Sequence, residues 1–307
     1  TRFLLMNLEG YTPEAIRIGE LPLEDQWILS RLAKTVSNVT QHLEGYRFSE
    51  VSRAIYDFTW SEFCDWYVEM SKNRLNDEQS RATVQRVLVG ILDVIVRLVH
   101  PVMPFLAESL WQAMNETAFE RGLPEPHPAM ESVTIASWPE LPAAWRDEKI
   151  EARIARMQSL VRGLREIRAR YTLDRKAEID VFVKCEQKHA DDFAALEPFI
   201  RMFGRINKWE CGPEVTKPPQ SASAVDVDFE AYVSLEGLID VDKETARLKQ
   251  QREEKQKHLR SAEAKLSNEN FVKNAPAAIV EEQRDRVRDL EKQLESIEQN
   301  LRDLQSS

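Results

Sequence analysis

Six apolar residues near the end of this 307-residue chain, Val287, Leu290, Leu294, Ile297, Leu301 and Leu304, step by three and four without exception. Steps of that kind keep one narrow stripe on one side of a helix, and such a stripe is a coiled-coil seam that needs a partner helix. Upstream, Val241, Leu248, Leu259, Ala262 and Leu266 fit the same repeat, with Arg252 and Lys255 as polar interruptions. Between the two runs lies NENFVKNAPAAIVEEQ, from Asn268 to Gln283. Its Pro276 cannot serve a helix interior but suits a first helical turn. Two seams joined by so short a break predict an antiparallel hairpin over residues 238–307. Each arm of roughly 25 residues would reach about 37 Å at 1.5 Å per residue. In this reading Phe271 and Val272 seal the tip against Ile279 and Val280.

The rest of the chain divides by the period of its apolar residues. RFLLMNL opens as if already inside a helix, so residues 1–22 read as the remnant of a link to an upstream part of a longer chain. From Leu23 to about Leu43, Ile28, Leu32, Val36, Val39 and Leu43 keep helical spacing. EGYRF interrupts, and Ser49 is placed to cap the next helix. That helix carries Tyr56, Phe58, Trp60, Phe63, Trp66 and Tyr67, so its aromatics read as core buried from nearly every side. A third helix from about Asp77 to Val99 ends at HPVMPF, whose prolines disfavour helix, and a fourth runs from Phe105 to about Phe119. Four antiparallel helices with short corners make a bundle over residues 23–146, with ESVTIASWPE as a short strand in its trailing loop.

Residues 147–237 read as a small α+β junction module. A helix from Glu148 to Tyr171 precedes AEIDVFVKC, where Ile179, Val181 and Val183 alternate as in a strand. ADDFAALEPFIRMF is helical, GPEVTKPPQSASA a loop, and VDVDFEAYVSL a single strand from Val225 to Leu235. The predicted fold class is mostly α: an antiparallel helix bundle, a small α+β module and a C-terminal antiparallel coiled-coil hairpin. Nothing rigid stands between Leu235 and Asp242, which predicts a joint about which the hairpin swings.

Composition narrows the function. A formal net charge of −10 excludes a uniformly basic nucleic-acid binder and leaves room for basic patches. Cys64, Cys185 and Cys211 are far apart and odd in number, which suits a reducing cytosol rather than a disulfide framework. The five histidines make no metal-binding pair, and no apolar run is long enough to span a membrane. No paired carboxylates, nucleophile–base arrangement or Gly-rich phosphate loop stands out, so no catalytic residue and no metal ligand is assigned.

DQWILSRL, YDFTWSEFCDWYVEMSK and HPVMPFLAESLWQ resemble the anticodon-binding bundle of the class I tRNA synthetases for valine, isoleucine and leucine. WSEFCDWY is closest to the valine enzymes, and LEGLIDVDKETARL followed by NENFVKNAPAAIVEEQRDRV resembles the C-terminal coiled coil of the valyl-tRNA synthetases. The resemblance runs from about Phe3 to Leu304. It implies a cytoplasmic, monomeric piece that binds tRNA(Val), with the catalytic and editing domains of the same chain as its other partners. It also implies that ATP and magnesium serve the whole enzyme, with no cofactor in this piece. The family's H-I-G-H signature is absent, and Met70, Ser71 and Lys72, which echo K-M-S-K-S, read as a helix end. The piece is therefore expected not to activate valine alone. Two alternatives stand beside it: the equivalent region of an isoleucine or leucine enzyme, and a scaffold that dimerises through its coiled coil.

RNA recognition asks for cations to meet phosphate and for aromatic rings to stack on unpaired bases. At the corner GYRFS, Tyr46 and Phe48 are candidates to stack on anticodon bases and Arg47 to hold a phosphate or base edge, with Lys34 and Asn38 on the helix before them. From Arg153 to Lys176 eight cations face two acids, and Arg162, Arg165 and Arg168 share one side of the helix as a row for RNA backbone. From Arg247 to Lys265 seven cations face three acids, and Lys249, Lys257 and Arg260 are the backbone candidates there.

Overall fold

The computed structural model describes residues 2–305, apart from the side chains of Glu269, Asn270 and Gln305. The chain forms two compact units, Thr1–Ala155 and Arg156–Ser307.

The first unit is built on helices α1 (Leu23–Glu44), α2 (Phe48–Tyr56), α3 (Val68–Leu75), α4 (Arg81–Val99) and α5 (Pro104–Thr117), with a π-helical segment, Asp57–Tyr67, joining α2 to α3 without a break. The chain reverses at Gly45–Arg47, at Asn76–Ser80 and at His100–Met103, so the first and third corners share one end of the bundle. The most deeply buried helix is α4, where from Val84 to Leu98 Arg86 and Arg97 are part-exposed and the aliphatic residues fall on nearly every side. Buried Ile28, Leu32 and Val39 of α1 and Trp111 and Met114 of α5 complete the core.

At the opposite end, Asp25 is fully buried and grips Arg74 through two bonds of 2.7 and 2.9 Å, while the Tyr67 hydroxyl donates to it at 2.8 Å. Two parallel N–H···O bonds to one carboxylate fix geometry as well as charge. Burial, with the Asp25 charge beside it, raises the Glu24 carboxyl above its ordinary range.

Three expectations change here. No side chain caps α2, which begins at Phe48 after Arg47, so Ser49 lies inside it. ESVTIASWPE is not a strand: it holds a 3₁₀ turn, Val133–Ile135, capped by Ser132. Among the described residues no strand pairs with it; Trp111 and Trp138 instead donate to the Met130 carbonyl and the Thr40 hydroxyl, both at 2.8 Å. The aromatic run is not all core. Phe58, Phe63, Trp66 and Tyr67 are buried, but Tyr56 and Trp60 are 62% and 56% exposed.

Helix α6 (Glu148–Arg170) leads into the second unit. There β1 (Ile179–Cys185), α7 (Gln187–Gly204), β2 (Ile206–Gly212), β3 (Ser221–Val225) and β4 (Phe229–Ser234) give a four-stranded sheet in the order β2-β1-β4-β3. β1 is parallel to β2 and antiparallel to β4, with Val183 opposite Ala231. Leu160, Leu164, Phe193, Ile200, Val181 and Val233 pack as its core. Strands β2 and β3 depart from expectation. SASAV is an edge strand rather than loop, and its small residues let α6 approach closely: a Cβ on Gly163 would stand 2.9 Å from that of Ala224. The alternation from Val225 to Leu235 is not one strand, because Asp226 turns the chain; its N–H donates to the Phe229 carbonyl at 2.9 Å.

Helices α8 (Val241–Ser267) and α9 (Ala277–Gln305) form the antiparallel hairpin, with a short turn of helix, Glu269–Asn274, at its tip. Asp240 caps α8 by accepting from the Lys243 N–H at 3.1 Å, and the Pro276 carbonyl accepts the first bonds of α9. Leu248, Ala262, Leu290, Leu294, Ile297, Leu301 and Leu304 are buried along the seam. The tip is sealed less fully than expected: Val280 is buried and Phe271 half-buried, but Val272 and Ile279 stay exposed. The free joint is also corrected. The last turns of α9 return to the sheet, where Asp303, 1% exposed, takes Lys217 at 2.8 Å and Asn300 accepts from Arg170 at 3.3 Å. Burial pushes the Tyr171 hydroxyl beside them up to about 12, with the Asp303 charge adding to it.

Candidate nucleic-acid interface

The α1–α2 corner is shaped by the end of α1. The Gly45 N–H closes the last turn on the Gln41 carbonyl at 3.1 Å, and Tyr46 then takes a left-handed backbone (φ 57°) that reverses the chain. A Cβ on Gly45 would sit 3.2 Å from Arg47 Nε, so the glycine lets the guanidinium fold over the α1 C-terminus, where carbonyl dipoles favour a cation. Tyr46 is 80% exposed and Phe48 62%, with ring centroids 6.4 Å apart and planes at 78°. Phe48 is thus surface rather than core. On the neighbouring corner Phe105 is 91% exposed, with Val102, Met103 and Leu106 also open.

The candidates on α1 itself diverge. Asn38 is exposed. Lys34 instead lies 3.7 Å from Glu151, inside a network in which Arg31 bridges Glu62 at 2.7 Å and Glu151 at 2.9 Å. Burial raises the Glu151 carboxyl, but bonds from Ser30 and Arg31 outweigh it and hold the group below its usual range.

Sequence reasoning missed two further aromatics that stand open to solvent. Tyr56 and Trp60 stack on each other with centroids 6.4 Å apart and planes within 10°. The signal was available in their neighbours: Ser49, Ser52, Arg53, Asp57 and Ser61 are all exposed and mark the solvent face of the helix.

The arginine row of α6 splits by role. Arg162 is exposed and lines a cleft of about 390 Å³ with Ser159, Glu166, Arg170 and the edge of β3. Arg165 is exposed, its guanidinium 5.8 Å from the Phe203 ring centre. Arg168 turns inward: it donates to the carbonyls of Ala177 at 2.7 Å, Gly204 at 3.0 Å, and Asp174 and Arg205 at 3.3 Å. Burial, then the Arg205 charge, pulls its guanidinium below the ordinary value.

Lys249, Lys257 and Arg260 are exposed on α8, outside any ion pair among the described residues. Both arms together frame a cleft of about 380 Å³ lined by Lys257, His258 and Lys265 of α8 and Gln283 and Arg286 of α9. The cleft opens because the seam there carries a small residue, Ala262, and a polar one, Gln283, in place of two leucines. Arg284 and Arg288 pair with acids of their own helix, whereas Arg286 has no ion pair among the described residues and faces the cleft.

The echo of a catalytic lysine loop has a structural place. Met70 and Ser71 are buried in α3, with the Ser71 hydroxyl on the Tyr67 carbonyl at 2.6 Å, and Lys72 pairs with Glu69 at 2.6 Å. Among the described residues no cluster of three or more His, Cys, Asp or Glu side chains could hold a metal ion, and no helix is long and apolar enough to cross a membrane.

Residues 25–183 match the family model of the anticodon-binding domain of tRNA ligase. The chain belongs to this anticodon-binding domain family. Behind it, residues 240–305 match a second family, the valyl tRNA synthetase tRNA binding arm, and cover nearly all of the hairpin. Among curated proteins this chain is 42% identical over 306 residues to the valine–tRNA ligase of Thermotoga maritima, covering 99% of this chain and 33% of that one. It is 36% identical over 308 residues to that of Rhodopirellula baltica (100% and 30%) and 32% identical over 308 residues to that of Bacillus subtilis (99% and 34%). The chain thus spans about a third of the length of the curated relatives it matches.

Proposed function

We propose that this chain grips tRNA(Val) as the anticodon-binding and bracing portion of a valyl-tRNA synthetase. The observation that carries the reading is the exposed corner Tyr46–Arg47–Phe48 at one end of a rigid bundle, in a chain that also carries a tRNA-binding arm. Exposed rings that cost a folded protein in water become an asset where unpaired bases arrive, because every base offers a π face. Tyr46 and Phe48 supply that stacking, Arg47 the adjacent cation, and Asn38 a hydrogen-bonding amide on α1. Arg162, Arg165, Lys249, Lys257 and Arg260 meet backbone phosphate, joined by Lys265 and Arg286 in the hairpin cleft.

The grip serves a reaction that belongs to the whole enzyme. ATP, magnesium and the joining of valine to tRNA fall to the catalytic domain, and proofreading to the editing domain. This chain alone is expected to show no valine-dependent pyrophosphate exchange. It works in the cytoplasm as a monomer, since the hydrophobic seam that could recruit a second copy is consumed between α8 and α9.

The test is binding of tRNA(Val), of the same tRNA with a changed anticodon, and of an unrelated tRNA, across a salt series. Clear loss on changing the anticodon supports a reader in the bundle. Equal, salt-sensitive binding to all three would reduce the chain to a nonspecific RNA brace, and no binding at low salt would reject the reading.

A further inference from the structure

We propose that Tyr56 and Trp60 form a second stacking surface, separate from the α1–α2 corner, that takes unpaired RNA bases. The inference rests on the tRNA reading above and extends it to residues outside that corner.

The segment Asp57–Tyr67 is π-helical. In an α-helix, residues five apart point about 140° away from each other. Widening the turn to i→i+5 hydrogen bonding brings them onto one side. Phe58 and Phe63 are five apart, both are buried, and their rings lie within 15° of parallel at 6.5 Å; Tyr67 continues the inner stack at 6.1 Å. The segment therefore keeps its inner aromatics together, while Tyr56 and Trp60, four apart and so neighbours on a helix surface, lie together outside. Their rings share one plane direction to within 10°, so they offer π faces with a common normal. The Tyr56 hydroxyl and the Trp60 indole N–H make no hydrogen bond among the described residues, which leaves a polar handle on each ring.

The position favours RNA as the occupant. Phe48, Ser52 and Tyr56 follow one another at four-residue steps, so the pair continues the face of α2 that begins at the corner. Arg53 is exposed beside it and supplies a cation for the backbone of a stacked nucleotide. Ser52, Asp57 and Ser61 rim the rings with polar groups. A patch two rings wide is far smaller than a protein interface, which buries about 800 Å² per partner. It matches the footprint of one or two bases.

The test compares Trp60→Leu, Trp60→Phe and Tyr56→Leu with the unchanged chain in binding to tRNA(Val) and to a fully paired RNA duplex across a salt series. Both positions are on the surface, and a melting curve checks that each variant folds. Trp60→Leu is expected to weaken tRNA binding by about 5- to 100-fold. Trp60→Phe should stay within about threefold, and the slope of log affinity against log salt should not change, because every cation that meets phosphate is still in place. Tyr56→Leu should lose affinity in the same way as Trp60→Leu, and duplex binding should be unaffected. Tight tRNA binding by Trp60→Leu would overturn the stacking surface and leave the tRNA reading standing. So would a Trp60→Phe loss as large as that of Trp60→Leu, or an equal loss on duplex. An unchanged chain that binds no tRNA at low salt would overturn both.

Discussion

At the bundle corner Tyr46 and Phe48 stand open around a single cation, Arg47, whereas the hairpin cleft gathers Lys257, Lys265 and Arg286 and holds no Phe, Tyr or Trp. The two regions are built for different halves of a nucleotide. Stacking on a ring tolerates salt, while binding to phosphate releases counterions and weakens steeply as salt rises. Their scaffolds differ in the same sense. The corner sits on a bundle with a deep core around α4. The hairpin has a single seam with polar positions in it, and at its base Asp303 ties it to Lys217 in the loop before β3 and Asn300 to Arg170 of α6.

The largest effect should come from breaking the seam. Leu294→Asp places a charge without a partner in a buried position and removes a leucine from the packing, at a cost of about 3–5 kcal/mol. A hairpin with one seam cannot absorb that, so the helical signal of α8 and α9 should be lost in circular dichroism while the bundle still melts cooperatively. tRNA binding should then become weaker and less salt-dependent, with discrimination between anticodons retained. Unchanged helicity would mean that Leu294 is not in the seam; lost discrimination would mean that the two regions do not divide the work.

A smaller effect isolates charge from scaffold. Replacing Lys257, Lys265 and Arg286 together by Glu leaves Leu290, Leu294 and Ile297 in place, so the hairpin should remain folded. Affinity for tRNA should fall at least about tenfold at low salt, and the log–log salt slope should become shallower by about 2–3, one step for each phosphate left without its cation. The same slope for variant and unchanged chain would move the phosphate-binding cations away from this cleft.

The contrast between corner and cleft also separates what is legible in the sequence from what is not. The hairpin and the bundle can be read because a period of three and four is a local signal, repeated many times from Ile28 to Leu304. β3 cannot, because Ser221–Val225 is small and weakly alternating; its sequence answers to the close approach of Gly163, which only the folded chain brings near. Tyr56 and Trp60 read as core because six aromatics in one helix outweigh the serines and charges between them, and because the π-helical widening leaves no mark on the period. Of the tRNA candidates, the corner Tyr46–Phe48 is visible as a break between two helical runs. The contribution of Lys265 and Arg286 is hidden, since it depends on two arms meeting across Ala262 and Gln283.

The smallest predicted effect concerns three arginines that the sequence makes equivalent. Arg162, Arg165 and Arg168 are spaced alike on α6, yet Arg168 turns to the Gly204 and Arg205 carbonyls at the C-terminal end of α7, together with those of Asp174 and Ala177, while Arg162 is exposed. The Gly204 carbonyl is among the last of α7, which have no partner within the helix and carry the negative end of its dipole, so a cation there is doubly placed. Arg168→Ala should cost about 1–3 kcal/mol of stability in the second unit, through bonds to a charged donor, and leave the salt slope of tRNA binding untouched. Arg162→Ala should do the reverse. Stability should change by less than about 1 kcal/mol, because Arg162 is exposed, while the slope becomes shallower by up to about 1. Denaturant melts and salt titrations on the two variants separate the roles. If Arg168→Ala flattened the slope and left the melt unchanged, the row would act as one RNA-facing unit, and the carbonyl bonds of Arg168 would be incidental to its place there.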